Sequence, residues 1–173
     1  MIKHFMWFRT VPAFRVGLEV LVVPVASDRG MVLVMADSAA VVTEELNGEV
    51  VRRHLRIFET RNVLELEDVM DEDVQVHGAG YHVRGRHHPE GAVLTPGLSN
   101  CRVHIDDLFA AGDRVTVAFT LTYTHDRSGR DLTMTGLKSY RLREGRIVEF
   151  WGETDLYGLL RQAGLVPERI PQF

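Results

Sequence analysis

The residues best suited to chemistry lie near the carboxyl end of the chain, in residues 145–160, where Trp151 precedes Asp155 by four positions. A carboxylate beside a tryptophan is partly desolvated, and desolvation raises its pKa toward the range useful for proton transfer. These residue types therefore predict a general acid–base role for Asp155 in an apolar pocket that Trp151 walls. Aspartate is also a good N-cap for a following helix, and the two roles are compatible.

The strand that carries Trp151 is predicted to pair with the preceding strand through a hairpin. Residues 144–145 are Glu-Gly, a turn signal between two runs of strand character. If no bulge intervenes, alternation places Trp151 and Asp155 on one face, and the hairpin adds Lys138 and Tyr140 to that face. Two further carboxylates are expected there, Glu149 and Glu153. The opposite face is expected to be apolar, with Leu137, Val148 and Phe150.

Several other polar side chains are candidates for the same site. His77 ends an alternating strand, where it either contacts a substrate carbonyl, orients the aspartate or is satisfied structurally. Beside Trp151, the predicted substrate-binding residues are Tyr140, Lys138, Asn100, His125 and Glu153. The histidines at positions 77, 82, 87 and 88 straddle a glycine-rich turn and match no common zinc spacing. No metal site is predicted.

Motifs for bound cofactors or covalent catalysis are missing from the sequence. It contains no phosphate-binding loop, no dinucleotide fingerprint, no Gly-x-Ser-x-Gly elbow and no cysteine–histidine arrangement typical of catalysis. We therefore expect no cofactor, and chemistry that depends on proton transfer and on the shape of a pocket.

The elements that must position these residues follow an α+β order, with helices first and an antiparallel meander after them. Residues 43–61 are predicted to form a helix whose apolar spacing is carried by Val50, Val51, His54, Ile57 and Phe58. Further helices are predicted at residues 63–70, 85–94 and 156–163. Strands are predicted at residues 74–77, 100–109, 114–125, 132–143 and 146–155.

Composition limits the class of protein. A chain of 173 residues with 45% hydrophobic and 25% charged residues is one ordinary globular domain. A formal charge of −4 predicts no nucleic-acid partner. The single cysteine, Cys101, excludes an intramolecular disulfide and fits the cytoplasm. No apolar run reaches the roughly 20 residues of a membrane span, so no membrane partner is expected.

Residues 1–34 do not read like the remainder of the chain. Lysine and arginine precede the apolar run at residues 20–26, as in a secretory signal, but Glu19 and Pro24 interrupt the pattern. We interpret residues 1–34 as an N-terminal extension, either a translated leader or an arm that is disordered or packed on the surface. Residues 35–173 are predicted to form one domain.

The carboxyl-terminal residues carry a family resemblance. Residues 145–151 read Gly-Arg-Ile-Val-Glu-Phe-Trp, Asp155 follows, and residues 158–164 read Gly-Leu-Leu-Arg-Gln-Ala-Gly. This pattern resembles the closing signature of SnoaL-like polyketide cyclases, and the resemblance covers roughly residues 35–167. It implies a cone-shaped fold like that of nuclear transport factor 2 (cystatin-like), with a curved antiparallel sheet packed on N-terminal helices around a cavity.

The resemblance also implies a function. The chain would be a cofactor-independent cyclase that closes a ring in a polyketide ester by intramolecular aldol condensation, in antibiotic or other secondary-metabolite biosynthesis, with the family's aspartate at Asp155. The alternatives are a related hydroxylase, an isomerase or an epoxide hydrolase of the same fold. A protein that only binds a hydrophobic small molecule remains a further alternative.

The strand at residues 114–125 predicts how copies of the chain associate. Val117, Phe119 and Leu121 alternate with threonines and one alanine, so one sheet face is apolar and the other is rich in threonine. Members of the family commonly pair through the outer face of the sheet. We therefore predict a homodimer that uses part of this sheet.

Overall fold

The computed structural model describes residues 18–23, 32–78 and 80–167. The chain divides into two compact units, residues 1–41 and 42–173. In the first unit, strands β1 (Leu18–Val23) and β2 (Val32–Asp37) pair in antiparallel register, with Leu18 opposite Asp37 and Val23 opposite Val32. The other residues predicted to belong to an extension, 1–17 and 24–31, lie outside the described residues. The interpretation of residues 1–34 as a leader or arm stays a prediction.

Four helices accompany the second unit's sheet. They are α1 (Ser38–Thr60), α2 (Leu66–Val69, preceded by a 3-10 turn at Val63–Glu65), α3 (His87–Val93) and α4 (Leu156–Gln162). Helix α1 buries most of the apolar stripe that its sequence predicts, including Val51, Ile57 and Phe58, and it also buries Leu55. None of the helices in the described residues is long and apolar enough to cross a membrane.

The sheet of the second unit has six strands. They are β3 (Met70–Gly78), β4 (Tyr81–Arg84), β5 (Leu98–Ala111), β6 (Arg114–His125), β7 (Asp131–Arg143) and β8 (Arg146–Thr154). Their order is β4-β3-β8-β7-β6-β5. All neighbours are antiparallel except β3 and β8, which run parallel, with Val76 opposite Phe150. The predicted α+β class is confirmed, with one parallel pairing in place of a wholly antiparallel sheet and with β4 as an additional edge strand.

Strand alternation divides the sheet into an inner and an outer face. On β6 the odd-numbered residues from Val115 to Tyr123 are buried and the intervening residues are partly exposed. The partners of these inner residues on β7 therefore point inward too: Tyr140 lies opposite Val115, and Lys138 lies opposite Val117. The inner face packs into one core with the apolar stripe of α1.

A β-bulge in β8 changes the predicted hairpin register. Leu142 pairs with Ile147, but Arg141 pairs with Glu149, so Val148 is an extra residue. One inserted residue exchanges the faces of every later position on the strand. The prediction that Trp151 shares a face with Lys138 and Tyr140 is therefore wrong, because it assumed an unbulged hairpin. Phe150, predicted on the opposite face, pairs with Tyr140 and points inward.

Candidate active site

The inner face of the sheet and helices α1, α3 and α4 line a cavity of about 410 Å³. This volume lies within the range of small-molecule sites in proteins. Most of its lining is apolar or aromatic: Phe58, Val76, Val83, Leu98, Phe119, Leu121, Met134, Phe150, Leu156 and Leu159. The described polar lining consists of His54, Tyr81, His88, Thr95, Tyr123, Lys138 and Thr154. None of the described lining residues is an aspartate or a glutamate.

Lys138 brings a primary amine into this apolar cavity. Its Nζ lies 4.9 Å from the centre of the Phe58 ring and 5.4 Å from the centres of the Phe119 and Phe150 rings. Among the described residues no carboxylate forms an ion pair with it. Burial disfavours the ammonium form and lowers the pKa of Lys138 to about 8. At neutral pH the neutral amine is therefore far more populated than for an exposed lysine.

Two glycines on the inner face make room for these side chains. Gly152 lies opposite Lys138 on β8, and a Cβ at that position would stand 3.1 Å from the lysine Cγ. Gly136 lies opposite Phe119, and a Cβ there would stand 2.4 Å from the Phe119 Cζ. An alanine at either position would crowd the lining, so the glycines keep space for the lysine stem and the Phe119 ring.

His54 is a buried polar residue in the wall of the cavity. The residue is 1% exposed, and its Nδ1 lies 3.1 Å from the hydroxyl of Tyr140. Its Nε2 is buried without a hydrogen-bond partner among the described residues. Burial and then the charge of Lys138 lower the pKa of His54 well below its ordinary value, so the ring is neutral.

Tyr140 determines which nitrogen of His54 carries the proton. Tyr140 is fully buried, burial raises its pKa, and its hydroxyl therefore keeps its hydrogen. The one acceptor recorded for that hydrogen in the described residues is the His54 Nδ1. The hydroxyl donates to Nδ1, and the neutral ring then holds its proton on Nε2. The Nε2–H is therefore buried at the cavity wall, and it has no acceptor among the described residues.

The rim of the cavity is tied to the end of α1. Arg61, just beyond that helix, has a φ of 56°. Its guanidinium donates to the carbonyl oxygens of Leu98 at 2.9 Å and Thr95 at 3.1 Å. Both of these residues line the cavity. The loop between α3 and β5 is therefore held against the same helix that carries His54.

The outer face of the sheet holds the aromatic and acidic cluster that the sequence predicted for a pocket. The His77 ring stacks on Trp151 at a centroid distance of 4.5 Å, and its Nε2 lies 3.0 Å from the Glu149 Oε1. Arg141 forms an ion pair with Glu149, and the Arg114 guanidinium lies 5.6 Å from the Trp151 ring centre. These side chains do not line the cavity. Glu153 is also exposed on this face, opposite Leu137.

Asp155 caps helix α4. Its Oδ1 accepts a hydrogen bond of 2.8 Å from the backbone N–H of Gly158, as the N-cap interpretation predicts. Its neighbours Thr154 and Leu156 line the cavity, whereas Asp155 itself is exposed and does not. A Cβ at Gly158 would stand 2.0 Å from the Asp155 Oδ2, so glycine permits this close cap. The proton-transfer role of Asp155 stays a prediction.

The remaining predicted contacts also lie away from the cavity. Asn100 is exposed, and its Nδ2 donates to the Thr124 Oγ1 at 3.3 Å. His125 ends β6, and its Nδ1 lies 2.8 Å from the hydroxyl of Ser128 in the following turn. Tyr140 lies behind His54 without lining the cavity. Of the predicted site residues, Lys138 alone is among the described lining residues.

His54 is the residue that sequence reasoning missed. It was assigned to the apolar stripe of α1, where its spacing indeed places it. The available signal was a titratable side chain at a core position of an amphipathic helix, because buried polar groups normally require a partner. A histidine with one partner and one free nitrogen is a candidate for ligand binding.

The comparisons with known proteins agree with this fold. The SnoaL-like domain family matches residues 51–150, more than half of the 173 residues. The chain therefore belongs to the SnoaL-like family, and its fold is the one named for nuclear transport factor 2 and ketosteroid isomerase. No curated protein sequence matches it.

Three solved structures illustrate the range of similar proteins. AclR from Streptomyces galilaeus, a proposed hydroxylase, has a TM-score of 0.64 and 16% identity over 75% of this chain and 91% of its own. IdmH from Streptomyces antibioticus, a proposed polyketide cyclase, has a TM-score of 0.60 and 23% identity over 68% and 98%. An epoxide hydrolase of Mycobacterium tuberculosis has a TM-score of 0.58 and 16% identity over 70% and 94%. At these identities the likeness shows the fold alone.

Proposed function

We propose that this SnoaL-like protein is a cofactor-independent cyclase that closes a ring in a hydrophobic polyketide ester by intramolecular aldol condensation. The observation that carries the proposal is the cavity, whose largely apolar wall holds the amine of Lys138 and also His54, whose buried Nε2–H has no partner among the described residues. Phe58 and Phe150 contact both groups, so the amine and the N–H donor serve one region of the cavity.

Each group has a defined task in this reaction. The neutral amine of Lys138 takes a proton from the carbon α to a carbonyl, and the electron pair moves onto the carbonyl oxygen. The His54 Nε2–H donates a hydrogen bond to that enolate oxygen. The enolate carbon then attacks a second carbonyl of the same substrate, and the Lys138 ammonium returns its proton to the resulting alkoxide. The lysine ends the cycle as a neutral amine.

The apolar lining contributes by holding the substrate. An extended chain with two reactive carbonyls must fold so that the attacking and attacked carbons approach each other. A close-fitting wall holds the bound substrate in this conformation, so less conformational entropy is lost on the way to the transition state. The low polarity around the cavity also strengthens the hydrogen bond from His54 to a developing charge. Lysine and histidine therefore act in surroundings that favour their neutral forms in the resting protein.

The proposal is tested first by proton exchange. Purified protein is incubated in D2O with hydrophobic monoketones, whose α-protons exchange slowly by themselves, and deuterium uptake is followed by NMR. A panel of polyketide esters is then analysed for cyclised product by mass spectrometry. We expect α-deuteration and cyclisation with the wild type and neither with Lys138→Met. Binding without deuteration or cyclisation would instead identify a protein that only binds its ligand.

Asp155→Asn separates the two interpretations of that aspartate. Asparagine caps helices about as well as aspartate, so the melting temperature should stay the same. With proton transfer assigned to Lys138, the variant should keep more than a tenth of the wild-type rate, a barrier change below about 1.4 kcal/mol. The measurement is the rate of cyclisation or α-deuteration. A loss of a hundredfold or more at unchanged stability would return the acid–base role to Asp155.

The outer face of the sheet supports the predicted homodimer. It exposes large apolar side chains on three other strands of the sheet, with Phe109 on β5 67%, Leu137 on β7 56% and Trp151 on β8 39% exposed. Burying such side chains favours association. We expect light scattering at micromolar concentration to give twice the monomer mass of 19.6 kDa. Leu137→Arg should yield monomers with an unchanged fold by circular dichroism, and a monomeric wild type would contradict the prediction.

A further inference from the structure

Lysine is rare in this chain, and one of its two lysines lines the cavity. The sequence has 20 lysines and arginines, of which only Lys3 and Lys138 are lysines. Lys3 lies outside the described residues. Every other cationic position is an arginine, which stays protonated in proteins and is a poor nucleophile. Lys138, the one lysine in the described residues, lines the cavity.

We propose that Lys138 is a nucleophile that binds aldehyde and ketone substrates covalently, as an imine, in this cavity. The inference rests on the proposed function, since it uses the same cavity, and it narrows the substrates to compounds with an aldehyde or ketone. Three features carry it: the aromatic rings around the amine, the lack of a carboxylate partner among the described residues, and the neighbouring donor on His54. Desolvation in an apolar pocket is one established way to activate a lysine amine.

The covalent step is balanced without an oxidant or a cofactor. The Nζ electron pair attacks the carbonyl carbon, the C=O π pair moves to oxygen, and a proton passes from nitrogen to oxygen to give a carbinolamine. The C–O bond then breaks, and hydroxide leaves as water after taking up one proton from solvent. The product is a protonated imine. During attack the His54 Nε2–H donates to the carbonyl oxygen, where negative charge develops.

The imine then serves ring closure. The positive nitrogen draws electrons from the neighbouring carbon, so an α-proton is lost to water more readily than from the parent ketone. The resulting enamine attacks the second carbonyl, and the alkoxide that forms takes up from water the proton that the α-carbon lost. Hydrolysis of the imine then releases the cyclised product and the free amine. In this version of the reaction the carbon nucleophile stays attached to the sheet through Lys138.

Few titratable groups lie close enough to Lys138 to change its pKa. The titratable side chains that line the cavity with it are His54 on α1, Tyr81 on β4, His88 on α3 and Tyr123 on β6. Tyr140 lies behind His54. The flanking positions across the sheet, Val117 and Gly152, carry no charge. Attack on a carbonyl should therefore follow the ionisation of Lys138, with a midpoint near pH 8.

The experiment is reductive trapping with 2-naphthaldehyde and sodium cyanoborohydride. Cyanoborohydride delivers hydride to an imine carbon and leaves a stable secondary amine. Peptide mapping by mass spectrometry then measures modification at the three amines of the chain: the amino terminus, Lys3 and Lys138. At pH 7 we expect Lys138 to be modified at least tenfold faster than Lys3. The hydrophobic ketones of the exchange assay, added in excess, should slow modification of Lys138 alone.

Matched variants keep the result interpretable. Lys3→Arg should leave the modification of Lys138 unchanged, and His54→Phe should slow it without affecting Lys3. Equal or slower modification of Lys138 relative to Lys3 in the folded wild type would overturn the proposal. If α-deuteration persists without trapping and Lys138→Met removes it, Lys138 acts only as a base, and the proposed function stands without the imine. A folded wild type that shows neither α-deuteration nor trapping at Lys138 would reject both proposals.

Discussion

Replacing Lys138 by methionine is expected to lower kcat by about 10²–10⁴-fold and to stabilise the folded protein at neutral pH. The amine is the proton acceptor of the proposed reaction and has no substitute among the described lining residues except the histidines. His54 is already engaged by Tyr140 through Nδ1. Methionine has a similar length, is apolar, and fits the space among Phe58, Phe119 and Phe150 without a charge to desolvate.

The stability gain has a defined dependence on pH. Burial lowers the pKa of Lys138 from 10.5 to about 8. Between these two pH values the unfolded chain binds a proton that the folded protein lacks, so the free energy of unfolding of the wild type rises with pH across this window. The total change is about 3 kcal/mol. Lys138→Met lacks this contribution, so its advantage over wild type should be largest below pH 8 and should disappear above about pH 10.5.

Two measurements check this prediction. Urea unfolding of wild type and Lys138→Met from pH 6 to 10 gives the difference in free energy of unfolding at each pH. The rate of α-deuteration or cyclisation gives the loss of activity. Lys138→Arg is the control for charge, since it keeps a cation that does not deprotonate, and it should be as inactive as the methionine variant. A more active arginine variant would show that positive charge, and not a neutral amine, is what the reaction needs.

The sequence predicted α1 to α4, β3 and β5 to β8 with errors of up to five residues at their ends, and it did not predict β1, β2 or β4. The alternation on β6 identifies its buried face without ambiguity, and the structure buries those residues from Val115 to Tyr123. The apolar stripe of α1 likewise gives the correct helix face. Strand β4 was missed because its four residues carry little alternation, and they are held by pairing with β3. The parallel pairing of β3 and β8 joins residues more than 70 positions apart, which no local pattern encodes.

The site was predicted less well, for two reasons, and the first is a single inserted residue. With Val148 inserted as a bulge, Trp151 and Glu153 face outward and Lys138 faces the cavity. The sequence does contain one indication of the bulge. Ile147 and Phe150 are both large and apolar, but they are three positions apart, and an ideal strand would place them on opposite faces. The second reason concerns His54. Its spacing indicates only that it is buried, whereas its hydrogen-bond partner, Tyr140, lies on another element, β7.

His54→Phe is expected to lower kcat/KM by about 10²–10³-fold, the usual effect of removing one hydrogen-bond donor to a developing oxyanion. Phenylalanine suits the site sterically, since the His54 ring already packs against Phe58 and Phe150 at centroid distances of 5.9 and 6.0 Å. The substitution nevertheless leaves the Tyr140 hydroxyl buried without an acceptor. We therefore expect a cost of about 1–3 kcal/mol in the free energy of unfolding.

Combining His54→Phe with Tyr140→Phe separates the structural role of this pair from its catalytic role. Tyr140→Phe alone should lower activity by about tenfold, because it removes the donor that keeps the His54 proton on Nε2. In the double variant both polar partners are replaced by apolar rings, which is close to neutral for stability, so urea unfolding should return toward the wild-type value. Activity should stay as low as in His54→Phe, because Tyr140 acts only through His54. A double variant that recovers activity together with stability would show that the pair serves the fold alone, and the oxyanion-binding role of His54 would then be rejected.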